Sequence, residues 1–355
     1  MSELISKTLG AIQPVLQSDL DRAQEHLNSL TKPPGSLGML EKLGQRYAAI
    51  KGTHTPRIEQ KSILVFAADH GVTEEGVSAY PSEVTPQMVF NFLSEGAAIN
   101  VLARQVAAEV IIIDIGVNHQ FDSCPGLVHR KIAMGTWNMT RGPAMSRQQA
   151  QKALETGIHS AQACIQKGTD ILGTGDMGIG NSTSAAAIMS VLGGKDPEET
   201  AGRGTGINED TLKKKIKVIE RAIEINQPDP DDPTDVLAKV GGFEIGGIAG
   251  TILGAAAGKT PVVIDGLISG AGAALALKLN KKVSDYIFTS HRSREPGHEV
   301  IFELLDQSPL FDLGMRLGEG TGAALGISLL EAGARIYSEM ATFQQAGVTD
   351  KTIGS

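Results

Sequence analysis

The sequence predicts an α/β fold in which a mostly parallel sheet is covered by helices on both faces. Short apolar runs rich in β-branched residues alternate along the chain with segments of helical periodicity. Each of these runs also ends in a polar or glycine-rich cluster. Because ligands of such sheets bind beyond the carboxyl ends of the strands, we expect the clusters to share one crevice.

Five runs are predicted to be strands, and several lead directly into side chains that can carry chemistry. The first leads into Asp69 and His70, the fourth into Asp265, and the fifth into Ser290 and His291. The predicted strands span residues 62–68, 110–115, 170–172, 261–264 and 286–288. The helical patterns lie at residues 19–30, within 31–50, and at 86–107, 146–167, 183–192, 211–225, 243–258, 269–279 and 321–345. We expect the helices at the two chain ends to form a small separate helical unit.

Composition argues against several classes of protein. The chain has 355 residues, which suggests one large domain or a large domain with a small companion. A net charge of −8 and an aromatic content of 4% argue against a nucleic-acid partner. Two cysteines without metal or disulfide spacing, and a start without a signal-peptide core, lead us to expect a cytoplasmic protein. Charged residues interrupt the Gly/Ala-rich run 241–279, so no membrane span is predicted.

The stretch 169–192 has the pattern of a strand, a glycine-rich turn and a helix N-terminus. Free backbone N–H groups and the helix dipole at such a place favour an anion. Asp176 nevertheless lies inside the turn. A carboxylate there is unfavourable unless it faces a cation or a proton donor, and this conflict is the first indication of function.

Motifs for other kinds of site are present but lack the structural context that they need. Gly173, Gly175 and Gly178 match the dinucleotide pattern G-x-G-x-x-G, but no acidic residue ends a strand about 20 positions later. The run 254–260, GAAAGKT, resembles a phosphate-binding loop, but it precedes a strand and lacks the first glycine. The spacing of the histidines matches no metal-ligand pattern, so we expect no metal.

Two further glycine clusters carry candidate functional residues. Lys215 follows the glycine loop GRGTGI at 202–207, from which a lysine could reach back to a phosphate held by the loop. Glu319 lies between Gly318 and Gly320, before a long alanine-rich helix. An acid at a helix start is favoured by the helix dipole alone. Two flanking glycines, however, also suit a carboxylate that the backbone presents to a ligand as a catalytic base.

Taken together, these motifs resemble the nicotinate-nucleotide–dimethylbenzimidazole phosphoribosyltransferase family. The resemblance extends from KPPGSLG at Lys32 to the C-terminal helices. The motifs that carry it are FAADHGVTEEGVSAYPSEVT, GTGDMGIGNST, INQP, VGGFEIGGIAG, DGLISG and RLGEGTGAALG. The resemblance implies a large Rossmann-like domain, residues 59–324, and a small helical domain from residues 1–58 and about 325–355. It also implies a homodimer.

The implied reaction transfers phosphoribose from nicotinate mononucleotide to 5,6-dimethylbenzimidazole, for the lower ligand of cobalamin, without a cofactor. In the family the catalytic glutamate corresponds to Glu319. A second active-site acid, a glutamate in some members, corresponds to Asp176, whose side chain is shorter. The residues implied to bind substrate are Tyr80, Met88, Gly178, Asn181, Gly204, Lys215, Asp265, Ser290, Ser293, Leu317 and Gly318. Some members carry Ser and Gln at the positions around Tyr80 and Met88.

The chemistry suits these residues, because a pyridinium leaves as a neutral ring and one carboxylate suffices to take the proton of the benzimidazole. A β-nucleotide that becomes an α-riboside implies a single displacement with inversion. Two alternatives remain at this point. Hydride transfer with tightly bound intact NAD would indicate a dehydrogenase. Nucleotide binding without turnover of any azole base would indicate a non-catalytic regulator.

Overall fold

The computed structural model describes residues 1–122 and 124–349. Its strands are β1 (Lys61–Ala68), β2 (Ala108–Gly116), β3 (Leu127–His129), β4 (Ile171–Met177), β5 (Val262–Ile264) and β6 (Ile287–Thr289). They form one parallel sheet in the order β3-β2-β1-β4-β5-β6. The predicted fold class is confirmed, and all five predicted strands are present. The sequence analysis missed β3, whose three residues are too few to show a pattern.

Helices cover both faces of this sheet. They are α1 (Glu3–Ala11), α2 (Gln17–Ser29), α3 (Met39–Lys51), α4 (Val84–Leu93), α5 (Ala98–Gln105), α6 (Arg147–Gln166), α7 (Asn181–Gly193), α8 (Pro197–Thr200), α9 (Glu209–Asn226), α10 (Pro233–Val240), α11 (Phe243–Ala257), α12 (Leu267–Leu279), α13 (Glu299–Leu305), α14 (Thr321–Glu339) and α15 (Phe343–Ala346). Short 3₁₀ helices span Gly71–Glu75, Lys281–Asp285 and Pro296–His298.

The prediction of one helix over residues 86–107 is wrong, because α4 and α5 are separate helices. Glu95, just after α4, has a φ of 58°, a left-handed conformation that a continuing helix does not allow. The amide of Asn100 donates to the carbonyl of Phe92 across the break, at 3.1 Å. The break matters for the site, since it brings the start of α5 to the edge of the sheet.

The register of the sheet places the carboxyl ends of its central strands at one edge. Ala67 of β1 lies beside Asp114 of β2 and Met177 of β4, and Phe66 lies beside Asp176. Residues that follow these strands therefore emerge close together, as expected for ligand sites of parallel sheets.

Close contact between α6 and α11 closes one face of the sheet. A Cβ atom at Gly157 would lie 1.9 Å from the carbonyl oxygen of Gly247, and one at Gly250 would lie 2.0 Å from that of Leu154. Only glycine allows the two backbones to approach so closely. Glu244 is the one charged residue of α11, and it is fully buried under the carboxyl end of the sheet.

Helices from the two chain ends pack against each other. The α3 and α14 backbones touch at Gly44 and Gly333, where a Cβ on Gly44 would lie 2.5 Å from the Gly333 carbonyl oxygen. Leu30 also forms an isolated antiparallel bridge with Thr342. Helix α1, in contrast, packs against α6 and α11. Residues 350–355 of the expected helical domain lie outside the described residues. Within residues 1–122 and 124–349, no helix is long and apolar enough to cross a membrane.

Candidate active site

A crevice of about 440 Å³ opens beyond the carboxyl ends of β4, β5 and β6. It brings together seven of the residues that the sequence analysis assigned to the site. They are Tyr80, Asp176, Asn181, Gly204, Ser293, Leu317 and Gly318. Further lining residues are Ser182, Thr205, Gly266, Leu267, Ile268, His291, Glu295 and Arg316. Met88 is not among the lining residues, and its half-buried side chain packs against the hydrophobic core.

Glu319 lies on a loop whose backbone is left-handed at three consecutive residues. The φ angles are 87° at Gly318, 64° at Glu319 and 95° at Gly320. A non-glycine residue in this region carries backbone strain, which persists only where the surroundings impose it. The Glu319 side chain is 6% exposed, and its Oε2 accepts a hydrogen bond from the N–H of Ile99 at the start of α5, at 3.2 Å. Burial raises the pKa of this carboxyl above its ordinary value.

Asp265 holds the Glu319 loop in place. Its two oxygens accept hydrogen bonds from the backbone N–H groups of Gly320, at 3.0 Å, and Gly322, at 2.7 Å. The side chain is fully buried, and burial raises its pKa to about 7 against the opposing effect of these bonds. The substrate contact expected of Asp265 is therefore not available to it in this arrangement. Its carboxylate contacts the loop that carries Glu319 instead.

The Glu319 loop approaches the sheet so closely that β4 must carry glycine there. A Cβ atom at Gly175 would lie 2.4 Å from the carbonyl oxygen of Glu319. At Gly322, a Cβ would lie 2.0 Å from Nδ1 of His291. The glycines that resemble a dinucleotide motif in the sequence thus serve, in part, to seat this loop.

Asp176 lies within β4, which continues to Met177, so its prediction as a residue of the glycine turn is wrong; it lines the crevice, and one of its oxygens is buried without a partner among the described residues. Its Oδ2 accepts a hydrogen bond from the side-chain amide of Asn181, at 2.9 Å, while Oδ1 has no partner among the described residues. Burial raises the pKa of this carboxyl well above its ordinary value, and the nearby carboxyl groups of Asp265, Glu244 and Glu319 raise it further. Both effects favour the protonated form of Asp176, which lessens the conflict between a carboxyl group and an anion-binding helix start.

Lys215 is buried behind the wall of the crevice. Its Nζ donates hydrogen bonds to Oγ of Ser182 and to the carbonyl oxygen of Gly202, each at 3.0 Å. The side chain is 1% exposed, and burial lowers its pKa to about 8. A cation, the first turn of α7 and the Gly202 loop are thereby joined at one end of the crevice. This end is suited to an anionic group of a ligand.

The segment after β6 contributes residues that the sequence analysis did not select. Glu295 lines the crevice, and its Oε1 accepts a hydrogen bond from the N–H of Gly204 at 2.8 Å. Arg316 donates to the carbonyl oxygen of the same glycine at 2.6 Å. The dense run of charged residues in HRSREPGHE, directly after a predicted strand, was the signal that could have identified Glu295.

Ser290, His291 and His298 are buried at the crevice, and His291 also lines it. Ser290 is fully buried and donates to the carbonyl oxygen of Asp265 at 3.2 Å. Burial lowers the pKa of His291 to about 4 and that of His298 to about 3, so both are neutral at neutral pH. In residues 1–122 and 124–349, no cluster of three or more His, Cys, Asp or Glu side chains could hold a metal ion.

His70 positions the glycine turn that follows β4. Its Nε2 lies 2.7 Å from Oε1 of Glu244, and its Nδ1 lies 3.0 Å from Oγ of Ser184 in α7. A Cβ on Gly178 would lie 2.2 Å from the carbonyl oxygen of Ala68, just before the histidine segment. Gly178 is therefore buried in the turn and does not line the crevice.

Comparison with known proteins gives a consistent result. Residues 12–348 match the model of a phosphoribosyltransferase family. A nicotinate-nucleotide–dimethylbenzimidazole phosphoribosyltransferase of Geobacter metallireducens is 54% identical over 97% of this chain and 98% of its own length. One from Roseiflexus sp. is 54% identical over 98% of this chain and 99% of its own. The crystal structure of the Thermus thermophilus enzyme superposes with a TM-score of 0.89 at 44% identity, covering 94% of this chain and 99% of that one. This chain is therefore an enzyme of the nicotinate-nucleotide–dimethylbenzimidazole phosphoribosyltransferase family.

Proposed function

We propose that this enzyme transfers phosphoribose from β-nicotinate mononucleotide to 5,6-dimethylbenzimidazole. The products are α-ribazole 5′-phosphate and nicotinate, and the first provides the lower ligand of cobalamin. The relatives that carry this activity in their names match nearly the whole chain. The observation that supports it most directly is Glu319, a buried carboxyl of raised pKa on a strained loop beside the crevice.

Glu319 acts as the general base in this proposal. As the benzimidazole nitrogen bonds to C1′ of the ribose, the proton on the other ring nitrogen becomes acidic, and Glu319 takes it. A base works best when its pKa lies near the working pH, and burial moves the pKa of Glu319 in that direction. The strained loop, fixed by Asp265, holds the carboxylate in place before the substrate arrives.

The departure of the nicotinate ring needs no catalytic group of the protein. The nicotinate ring leaves C1′ as a neutral pyridine nitrogen, so no general acid is needed at this step. No pyrophosphate leaves either, so the reaction has no charge for a metal ion to neutralise. Attack on one face of the ribose and departure from the other convert the β-nucleotide into an α-riboside. This inversion agrees with a single displacement and a single base.

We assign the two ends of the crevice to different parts of the nucleotide. The phosphate binds at the end formed by Lys215, the first turn of α7 and the loop of Gly204, because a cation and backbone N–H donors meet there. Asp176 faces the pyridinium ring or a substrate proton, since it lines the crevice, one of its oxygens has no partner among the described residues, and a raised pKa suits a group that meets a proton or a cation rather than the phosphate. Asn181 keeps that carboxyl in place.

We also infer a small helical domain, a homodimer and a cytoplasmic location. The α3–α14 contact and the bridge between Leu30 and Thr342 support a helical domain from both chain ends, with the remaining chain as the catalytic domain. Tyr80 and Leu317 line the crevice although they are more than half exposed, at 55% and 58%. A partner subunit that covers them would close the site around an apolar base.

Product analysis tests the proposed reaction. The purified protein is incubated with nicotinate mononucleotide and 5,6-dimethylbenzimidazole, and the products are identified by mass spectrometry and by the anomeric proton in NMR. Equal release of nicotinate and α-ribazole 5′-phosphate is expected. The β anomer of the product would contradict the single displacement. Hydride transfer with NAD, or nucleotide binding without turnover of any azole base, would replace this function with one of the two alternatives.

A further inference from the structure

The backbone N–H of Gly204, in the loop at residues 202–207, is bound by a carboxylate of the protein itself, that of Glu295. Oε1 of Glu295 accepts the hydrogen bond of the Gly204 N–H at 2.8 Å. Gly204 has a φ of 49°, a left-handed conformation that glycine adopts without strain. This is a donor that the sequence analysis assigned to the substrate. In the structure this donor is occupied by a carboxylate.

Glu295 also lies in the field of the buried lysine. Its carboxylate is the group whose charge opposes the lowering of the pKa of Lys215 by burial. The Glu295 side chain is only 6% exposed, and its Oε2 has no hydrogen-bond partner among the described residues. Such an unsatisfied buried carboxylate is costly unless a cation compensates it. Lys215 compensates Glu295, and a bound phosphate would have to share the same cation.

The carboxylate of Glu295 packs tightly against the Gly202 loop and occupies the N–H of Gly204. A Cβ atom at Gly202 would lie 2.2 Å from Oε2 of Glu295, so the carboxylate is packed directly against that glycine. The carbonyl oxygens of Gly202 and Gly204 are taken by Lys215 and Arg316, respectively. A phosphate that needs the Gly204 N–H must therefore displace the carboxylate.

We propose that the carboxylate of Glu295 fills the phosphate subsite and is displaced by the phosphate of the nucleotide, so that Glu295 sets how tightly a phosphate-bearing ligand binds. This inference rests on the proposed function, because it takes the Gly204 end of the crevice as the phosphate subsite. A phosphomonoester carries enough charge and acceptor oxygens to replace a carboxylate beside Lys215. A nucleoside without phosphate leaves the carboxylate in place, so Glu295 weakens the binding of nucleotides without affecting the binding of nucleosides.

The substitution Glu295→Gln tests this inference, since glutamine keeps the shape and can still accept from Gly204 but has no charge. Calorimetric titrations at pH 7 use inorganic phosphate, nicotinate mononucleotide and nicotinate riboside. Removing one negative charge that faces the phosphate should tighten binding of the two phosphate-bearing ligands by about tenfold or more. Binding of the riboside should stay unchanged. The matched control is Glu299→Gln, an exposed acid that pairs with Arg292 at 3.3 Å, and it should change none of the affinities.

Unchanged or weaker phosphate binding by Glu295→Gln would overturn the inference, as would a loss of riboside binding. If this variant does not fold, a crystal structure of the wild-type enzyme with inorganic phosphate decides. The inference requires the Gly204 N–H to donate to a phosphate oxygen and Glu295 to have moved. Glu295 retained on that N–H beside a bound phosphate contradicts it. The turnover assay of the wild type separates this inference from the proposed function. If the wild type turns over and one of the binding or crystal results contradicts the inference, only the inference fails. If the wild type does not turn over, the proposed function fails.

Discussion

Glu319 is buried, lies on a strained loop and directly follows Gly318, which lines the crevice, although Glu319 itself is not a lining residue. Together these properties predict that its carboxylate reacts. We expect Glu319→Gln to lower kcat by about 10²–10⁴-fold, because an amide cannot accept the proton of the base. Both substrates should still bind, since the shape is kept. If Glu319 were only a favourable acid at the start of α14, the change would cost about 0.3–1 kcal/mol of stability and leave kcat intact. Measuring kcat and the melting temperature on the same sample separates the two.

Lys215 should contribute to affinity for the nucleotide rather than to the rate of the chemical step. Lys215→Ala removes a charged hydrogen-bond donor from the phosphate end, and we expect nucleotide binding to weaken by about 1.5–3 kcal/mol. Lys213→Ala is the matched control, because Lys213 is exposed on the same helix. The measurement is the dissociation constant of nicotinate mononucleotide. Equal affinities of the Lys215→Ala variant and the wild type would remove the lysine from the phosphate subsite.

The raised pKa of Asp176 makes the stability of the fold depend on pH. Its pKa is raised in the folded protein, so the folded state keeps a proton that the unfolded chain loses above about pH 4. The stability that this group contributes is fully present below that pH and is lost as pH rises through the folded pKa. The melting temperature of Asp176→Asn relative to the wild type should therefore increase from pH 4 to pH 8.

Two measurements complete the test of Asp176. The exposed Asp231 provides a control variant, Asp231→Asn. Its melting temperature relative to the wild type should not rise between pH 4 and pH 8. The value of kcat/KM should fall in Asp176→Asn, because the residue faces substrate. A variant with wild-type kcat/KM would make Asp176 a structural residue only, whatever its effect on the melting curve.

At the residue scale, the local sequence identified the acidic residues that lie among glycines. It did not identify the distant residues whose hydrogen bonds hold the site together. Glu319 and Asp176 stand out because each interrupts a glycine cluster. Asp265 was selected, yet its bonds to Gly320 and Gly322 join positions more than 50 residues apart, which no local pattern reveals. Glu295 was missed for the same reason, since its partner Gly204 lies 91 residues away.

At the element scale, the end of β4 and the Glu319 loop fit only because Gly175 has no side chain. We expect Gly175→Ala to displace the loop, since the new Cβ would meet the Glu319 carbonyl at 2.4 Å. The variant should lose about 1–3 kcal/mol of stability, as overpacked sites do, and most of its kcat. Gly10→Ala in α1 is the control, because nothing lies within 4 Å of its added Cβ.

The control makes the Gly175 experiment decisive. Alanine is the better helix former, so Gly10→Ala should keep kcat and raise the melting temperature slightly. Full activity of Gly175→Ala would show that the loop tolerates a shift and that its strained position is not needed for catalysis. The measurements are denaturant unfolding and steady-state rates for both variants.

The elements themselves were predictable where they are long and periodic. Helices α6, α9, α11 and α12 appear at their predicted places, because helical periodicity over more than ten residues leaves few alternatives. The short elements α1, β3, α8, α10 and α13 were missed. The break between α4 and α5 was missed as well, because its cause, a left-handed residue at Glu95, is not a glycine.

At the scale of the whole molecule, strand order decides which clusters meet. Most lining residues of the crevice belong to or follow β4, β5 and β6, and Tyr80 follows β1, which is the neighbour of β4 in the sheet. Asp114, at the end of β2, belongs to the same edge but pairs with Lys131 at 2.8 Å, and it does not line the crevice. The expectation of one shared crevice was thus correct for part of the edge only. Alternation of elements predicts a parallel sheet, but not the order of its strands.

The homodimer is the prediction that belongs to the whole molecule. Tyr80 and Leu317 line the crevice yet are exposed, and an apolar base needs a site from which water is excluded. Dimers with two-fold symmetry are the commonest oligomers. Sedimentation equilibrium should therefore give twice the mass of the 37.3 kDa chain. Specific activity should fall on dilution in parallel with dissociation and return when the sample is concentrated again. A monomer with full activity at the assay concentration would show that one chain completes the site alone.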